Sequence, residues 1–266
     1  MKNPVISKKY KAKAFEAEIE YYSTGDGELN FLVIPGIGES FQKLLYQIDV
    51  LSRFGGVYAF NRPKIGDSTG SFKYNERSHI LIDEFITYVI NDKRNSLVIV
   101  ANSFGGNLTL KYLQEHSIST ASAILFCPLV APRPNNWVSY IIATKRIGSH
   151  NSKMLASRKD HPVMDDYKGI TDIYGRYLAI MQGIRVGKYW EQYGEMKHSV
   201  SSPVTAIFSE PDYFLDLPLS KSILEHIVKN VSIIRVDGYG HSLLWSLELE
   251  NFEGLVREHI SNFVTN

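Results

Sequence analysis

The sequence predicts an α/β protein built on a mostly parallel sheet of eight strands flanked by helices. Three observations carry that expectation. Short continuous apolar runs, Leu29–Ile34, Val57–Phe60, Leu97–Val100, Ala121–Cys127 and Val204–Phe208, read as strands buried on both faces. Between them lie stretches with apolar residues at helical spacing, such as Leu44, Leu45, Ile48 and Leu51. The alternation of the two patterns implies right-handed crossovers and parallel neighbours.

The opening strands are of a different kind. Residues 11–22 alternate, with Ala12, Ala14, Phe15, Ala17, Ile19 and Tyr21 as apolar members. This fits two antiparallel edge strands, closed by Ser23-Thr24-Gly25-Asp26-Gly27. Leu29–Ile34 follows and is broken by Pro35-Gly36-Ile37-Gly38, after which Glu39-Ser40 opens a helix with Ser40 as its expected cap. Val57–Phe60 leads into the loop from Asn61 to Ser68, and Ile82, Phe85, Ile86 and Val89 mark a helix over 80–90. The run Leu97–Val100 ends in Ala101-Asn102-Ser103-Phe104-Gly105, beyond which Leu108, Tyr112 and Leu113 begin another helical pattern. After Val204–Phe208 come the turn Ser209-Glu210-Pro211-Asp212, a helix over 220–228, a strand over 232–236 and the loop Asp237-Gly238-Tyr239-Gly240-His241. The last helix places Phe252, Leu255, Val256, His259, Ile260 and Phe263 on one stripe.

One region breaks the alternation. From Val130 to Ser202 prolines, scattered glycines and aromatics, including Trp137, Tyr140, Tyr174, Tyr189, Trp190 and Tyr193, replace the buried strands. The expected organisation is therefore a core formed by 1–130 and 203–266 with 131–202 inserted as a subdomain. A chain of 266 residues suits such a single large unit. A net charge of +1 provides no field for nucleic acid or an anionic membrane. The single cysteine, Cys127, excludes an internal disulfide framework and points to a reducing compartment. The first residues lack the apolar stretch of a signal peptide, and no apolar run approaches the roughly 20 residues that span a bilayer. A cytoplasmic protein without a membrane span is the expectation.

The chemistry concentrates at Ala101–Gly105. Small residues at both ends let strand and helix approach closely, and the central residue is forced onto a tight corner at the carboxyl edge of the sheet. That residue is Ser103, whose hydroxyl becomes a nucleophile only beside a base that is itself oriented by an acid. Of eight histidines, only His241 follows a predicted strand in a Gly-x-Gly-His loop on the same edge. His79, His116, His226 and His259 fall in or beside helical patterns, and His150, His161 and His198 lie in the insertion. The acid is sought after a strand too, among Glu210, Asp212 and Asp216, while Asp237 reads as a turn residue.

The Ala101–Gly105 turn resembles the nucleophile elbow of the α/β-hydrolase superfamily, with Ala101 for the usual first glycine. The resemblance covers most of the chain and implies the α/β-hydrolase fold, with 131–202 as a helical cap after the sixth strand. It implies that Asp212 is the acid, completing the chain order Ser103, Asp212, His241. It also implies that an oxyanion is held by the backbone N–H groups of Phe104 and Ile37. Pro35 stands where many members have a histidine that braces this loop. The superfamily's Asp-x-x-Gly-x-Gly-x-Ser pattern keeps Gly66 and Ser68 here but has Asn61 and Lys64. The implied activity is a serine hydrolase acting on a small, partly apolar carboxylic ester or thioester. The alternatives are a carbon–carbon bond hydrolase of ring-fission diketones, suggested by Asn102-Ser103-Phe104-Gly105-Gly106, an acyltransferase, or a ligand sensor of the same fold. No cofactor is implied and no metal, since the histidines lack metal-ligand spacing.

Overall fold

The computed structural model describes residues 7–70, 78–91, 96–116, 121–133 and 188–263. Eight strands form one sheet: β1 (Lys8–Ala12), β2 (Ala17–Thr24), β3 (Leu29–Ile34), β4 (Gly55–Phe60), β5 (Leu97–Asn102), β6 (Ala121–Phe126), β7 (Val204–Glu210) and β8 (Val231–Asp237). Their spatial order is β1-β2-β4-β3-β5-β6-β7-β8. β1 and β2 pair antiparallel, β2 meets β4 antiparallel, and every pairing from β4 to β8 is parallel. Among the described residues the α-helices are α1 (Leu45–Leu51), α2 (Ile80–Phe85), α3 (Phe104–Glu115), α4 (Leu217–Ile227), α5 (Leu243–Ser246) and α6 (Leu249–Phe263). α1 packs on α6 and α2 on α3. Because the central strands run parallel, the loops after β3, β4, β5, β7 and β8 all emerge on one edge. No helix among the described residues is long and apolar enough to cross a membrane.

Where local pattern and structure differ, a long-range contact decides. The first hairpin turns at 13–16, inside the alternating stretch, and Glu16 adopts a positive φ of 46° there. β4 begins at Gly55, two residues before its apolar run, because Gly55 and Gly56 pair with Leu29 and Asn30 of β3. A Cβ at Gly55 would stand 2.2 Å from the Leu29 carbonyl oxygen, so only glycine admits this pairing. Ser40 is not a side-chain cap. It precedes a 3₁₀ turn over Phe41–Leu44, and its buried hydroxyl has no partner among the described residues. The Phe41 N–H is taken instead by Asn61 Oδ1 at 2.8 Å.

Asn61, the departure from the superfamily's aspartate, is explained by Glu20 on β2. The Glu20 carboxylate accepts from Asn61 Nδ2 at 2.7 Å, from the Asp67 N–H at 2.8 Å and from Gln42 Nε2 at 3.1 Å. An aspartate at 61 would set two carboxylates against each other at that contact. Ser68 closes the loop by donating to the Asn61 carbonyl and accepting from the Glu20 N–H.

Of the inserted segment, the described parts are 131–133 and 188–202; the rest, with Trp137, Tyr140, Tyr174, His150 and His161, lies outside the described residues. Within the described part, Trp190 is fully buried, and the Tyr189 hydroxyl donates to Gln114 Oε1 of α3. Tyr193 meets His226 of α4 edge-on at 5.4 Å between ring centroids. These aromatics pack residues 188–202 onto the core.

The α6 stripe buries Phe252, Val256 and His259. His259 bridges the amino-terminal ends of β6 and β7, with Nε2 2.9 Å from Ser122 Oγ and Nδ1 2.8 Å from Thr205 Oγ1. Burial penalises the imidazolium and pushes its pKa down to about 4. The unfolded chain, with a histidine pKa near ~6.5, therefore binds more protons than the folded one between these values. Stability should fall as the pH drops through this window, by about 3 kcal/mol at pH ~4. Denaturant titrations of wild type and His259→Gln at neutral and mildly acidic pH check this; a wild-type loss no larger than the variant's would contradict it.

Candidate active site

The nucleophile corner is built by backbone geometry. Ser103 sits between β5 and α3 at φ 50° and ψ −113°, a conformation costly for a residue with a Cβ. Its N–H donates to the Phe126 carbonyl at 2.8 Å, and its carbonyl accepts from the Leu129 N–H at 3.0 Å and the Asn107 N–H at 3.2 Å. Next to it, a Cβ at Gly105 would lie 2.5 Å from the Ile34 oxygen and 2.8 Å from the Pro35 oxygen. A Cβ at Gly106 would lie 2.8 Å from Pro128 Cβ. The small residue at the end of the elbow thus lets α3 press against the end of β3, a neighbouring strand, rather than only against its own.

The three polar residues expected at this edge come together. Ser103 Oγ lies 2.6 Å from His241 Nε2, and His241 Nδ1 lies 2.8 Å from Asp212 Oδ2. The fully buried Asp212 side chain accepts through Oδ1 from the N–H groups of Phe214 at 2.7 Å and Leu215 at 3.1 Å. The His241 loop is tied down by Ser209 Oγ, which accepts from the N–H groups of Tyr239 and Gly240. Gly240 takes a positive φ of 63° there, and the Phe214 ring lies 4.9 Å from the imidazole. Burial disfavours the His241 imidazolium, but the Asp212 charge and hydrogen bond, with a contribution from Glu39, outweigh it and raise the pKa above its ordinary value.

The other acids have different partners. Asp216 caps α4 by accepting from the Leu219 N–H at 3.0 Å, and Glu210 pairs with Arg235 at 2.6 Å on the surface. Asp237 meets the same arginine at 3.4 Å. Among the remaining histidines, His79 pairs with Glu115 and His116 with Asp83, joining α2 to α3. Cys127 is fully buried, and burial together with the Asp212 charge pushes its thiol pKa up. Its sulfur, an Asp212 oxygen and a His241 nitrogen lie within 4.8 Å of one another, the one metal-ligand-type cluster among the described residues. Hydrogen bonding already engages these groups, since Cys127 Sγ points to the Gly240 carbonyl and Asp212 holds His241.

Ile37 lies in the turn after β3, which pairs with β5 through Ile34 and Ala101, so its loop adjoins the elbow. Pro35 supplies no polar side chain, and two residues not singled out in the sequence hold the loop. Glu39 Oε2 accepts from the Gly36 N–H at 2.9 Å and from Asn102 Nδ2 at 3.1 Å, while Oε1 meets Lys43 at 3.3 Å. Burial opposes its ionisation, but Lys43 and the hydrogen bonds from Asn102 and Gly36 hold its carboxyl below the usual range. From the other side, the buried Arg62 donates Nη1 to the Pro35 carbonyl at 2.7 Å and Nη2 to the Gly36 carbonyl. The sequence signal for Arg62 is a cation placed just after β4, on the carboxyl edge of an apolar sheet.

The fold is that of the α/β-hydrolases, a class of hydrolytic enzymes. Over residues 28–248 the sequence matches the family described as serine aminopeptidase, S33, and the chain belongs to that family. A sequence search of curated proteins finds no significant match. Among solved structures, similarity extends to a soluble variant of monoglyceride lipase from Saccharomyces cerevisiae, with 15% identity, 98% of this chain and 94% of that one covered, and a TM-score of 0.73. It also extends to a carboxylesterase of the thaumarchaeon Nitrososphaera gargenis, with 15% identity, 94% and 97% covered, and a TM-score of 0.67. A third is a serine hydrolase involved in carbazole degradation, with 20% identity, 97% and 99% covered, and a TM-score of 0.69. At such identities these likenesses establish the fold.

Two glycine substitutions separate the constraints. Gly105→Ala should destabilise by about 1–3 kcal/mol, because the new methyl group meets two backbone oxygens that cannot turn aside. Gly254→Ala, on the open face of α6 with nothing within 4 Å, should stabilise by about 0.5–1 kcal/mol. Denaturant midpoints of the two variants against wild type measure both signs.

Proposed function

We propose that this protein hydrolyses carboxylic esters or thioesters of small, partly apolar substrates through an acyl-enzyme on Ser103. The observation that carries the reading is the continuous hydrogen-bonded relay from Ser103 Oγ through His241 to Asp212. In this mechanism neutral His241 takes the Ser103 proton as the oxygen attacks the acyl carbon. The N–H groups of Phe104 and Ile37 hold the oxyanion, a role in which losing one donor costs on the order of 10²–10³ in turnover. His241 then protonates the leaving alkoxide or thiolate, and afterwards activates the water that releases the acid. Asp212 stays ionised, fixes the tautomer and stabilises the imidazolium. Segment 131–202 serves as the cap that shelters the acyl group from water. The single buried cysteine suits a reducing cytoplasm.

Ester chemistry is favoured by the apolar Phe214 ring beside the relay and by the esterase and lipase among the proteins of like fold. The Asn-Ser-Phe-Gly-Gly elbow, together with the neighbour from carbazole degradation, makes cleavage of ring-fission diketones the second reading. Aminoacyl p-nitroanilides test the activity in the family's description.

The deciding experiment is a burst assay with p-nitrophenyl acetate and butyrate. A stoichiometric burst or steady turnover is expected in wild type and none in Ser103→Ala. Equal rates in both, without fluorophosphonate labelling, would refute the proposal, and ligand binding without turnover would favour the sensor. Asp212→Asn should lower kcat by about 10⁴. The raised His241 pKa moves the acidic limb of kcat/KM above that of an ordinary histidine in wild type, with activity lost as pH falls through it. Without the Asp212 charge that limb should move to lower pH, which a pH–rate profile reads directly.

A further inference from the structure

The turn after β3 is fixed by an unusual arrangement of charge. Arg62, 2% exposed, reaches from the end of β4 with its two terminal nitrogens on consecutive carbonyl groups, Pro35 and Gly36. Its guanidinium also lies 5.5 Å from the centre of the Phe104 ring, so the same cation touches both segments that meet at Ser103. Glu39 accepts the Gly36 N–H. The Pro35–Gly36 peptide is therefore held at both ends, its oxygen by Arg62 and its N–H by Glu39. The next peptide, Gly36–Ile37, is held at its oxygen by the other arm of Arg62 and by the Glu39 N–H at 3.2 Å.

A trans peptide is planar, and its carbonyl and N–H point in opposite directions. The one cis bond among the described residues is Glu210-Pro211, so Gly36–Ile37 is trans. Fixing the Gly36 oxygen thus fixes the direction of the Ile37 N–H. A charged donor on the oxygen also draws electron density from the amide nitrogen and strengthens that N–H as a donor. Lysine would supply a single point charge; the planar fork of arginine is what spans two successive carbonyls.

We infer that Arg62 is a positioning residue for the oxyanion hole, acting through the Gly36–Ile37 peptide to aim and polarise the Ile37 N–H. This rests on the proposed role of Ile37 and adds the device that enforces it. Arg62 acts through these backbone carbonyls.

The test compares wild type, Arg62→Lys and Arg62→Gln, each checked by its melting curve; the lysine variant keeps the buried charge should the glutamine variant fail to fold. Steady-state kinetics use p-nitrophenyl butyrate, and isotope-edited infrared spectra record the acyl-enzyme carbonyl stretch. We expect kcat to fall about 10–10²-fold with KM changed less than about twofold, the lysine variant lying between the others. The carbonyl stretch should move to higher frequency as the hydrogen bond to the acyl oxygen weakens. A merely structural arginine would lower the melting temperature and leave the stretch of the folded fraction where it was. An unchanged stretch and kcat in either folded variant overturns the role of Arg62 alone. Absence of any acyl-enzyme in wild type overturns the proposed function and, with it, this inference.

Discussion

The carboxyl edge of the sheet depends on Ser103 being held in a backbone conformation its side chain disfavours. A positive φ at a non-glycine residue costs on the order of 1–3 kcal/mol. Three hydrogen bonds on its own N–H and carbonyl, to Phe126, Leu129 and Asn107, offset that cost, and each partner belongs to β6, the segment after it, or α3. The strained corner therefore exists only while β5, β6 and α3 are all in place. Gly105 and Gly106 are consequences of the same constraint, since a corner this tight drives α3 onto the end of β3 and onto Pro128.

Around that corner the protein buries charge sparingly and assigns each group a backbone task. Asp212 takes two N–H groups with one oxygen and His241 with the other. Glu20 takes an N–H of the 61–68 loop and leaves Asn61 neutral, so a carboxylate common at position 61 in the superfamily sits across the β2–β4 pairing instead. Glu39 and Arg62 divide the peptide groups after β3 between them. Removing one partner of such a pair leaves an uncompensated buried charge, which is why these groups occur as closed sets.

Much of this was legible in the sequence. The parallel strands were visible as apolar runs because a strand covered on both faces has no polar alternation to hide it. Ser103 and His241 were legible because each follows a strand, and parallel strands bring their carboxyl ends to one edge, whereas only the resemblance singled out Asp212 from Glu210 and Asp216. The start of β4 at Gly55 rather than Val57 and the role of Ser40 depart from expectation for one reason. Glycine at the start of an apolar run reads as a breaker and serine before a helix as a cap, yet here pairing with Leu29 and the side chain of Asn61 settle both. Asp216 lost its ambiguity only when α4 was seen to begin at Leu217.

Among the described residues the sequence by itself determined the strands, most of the helices, their order, and which residue types sit after each strand, because these follow from periodicity and local backbone preference. The tertiary structure alone decided which atoms meet. The contact of Ser103 with His241 spans 138 positions, and that of Glu20 with Asn61 spans 41. No local preference encodes such distances. The grip of Arg62 on Pro35 and Gly36 is of the same kind, since it arises from the adjacency of β3 and β4 in the sheet.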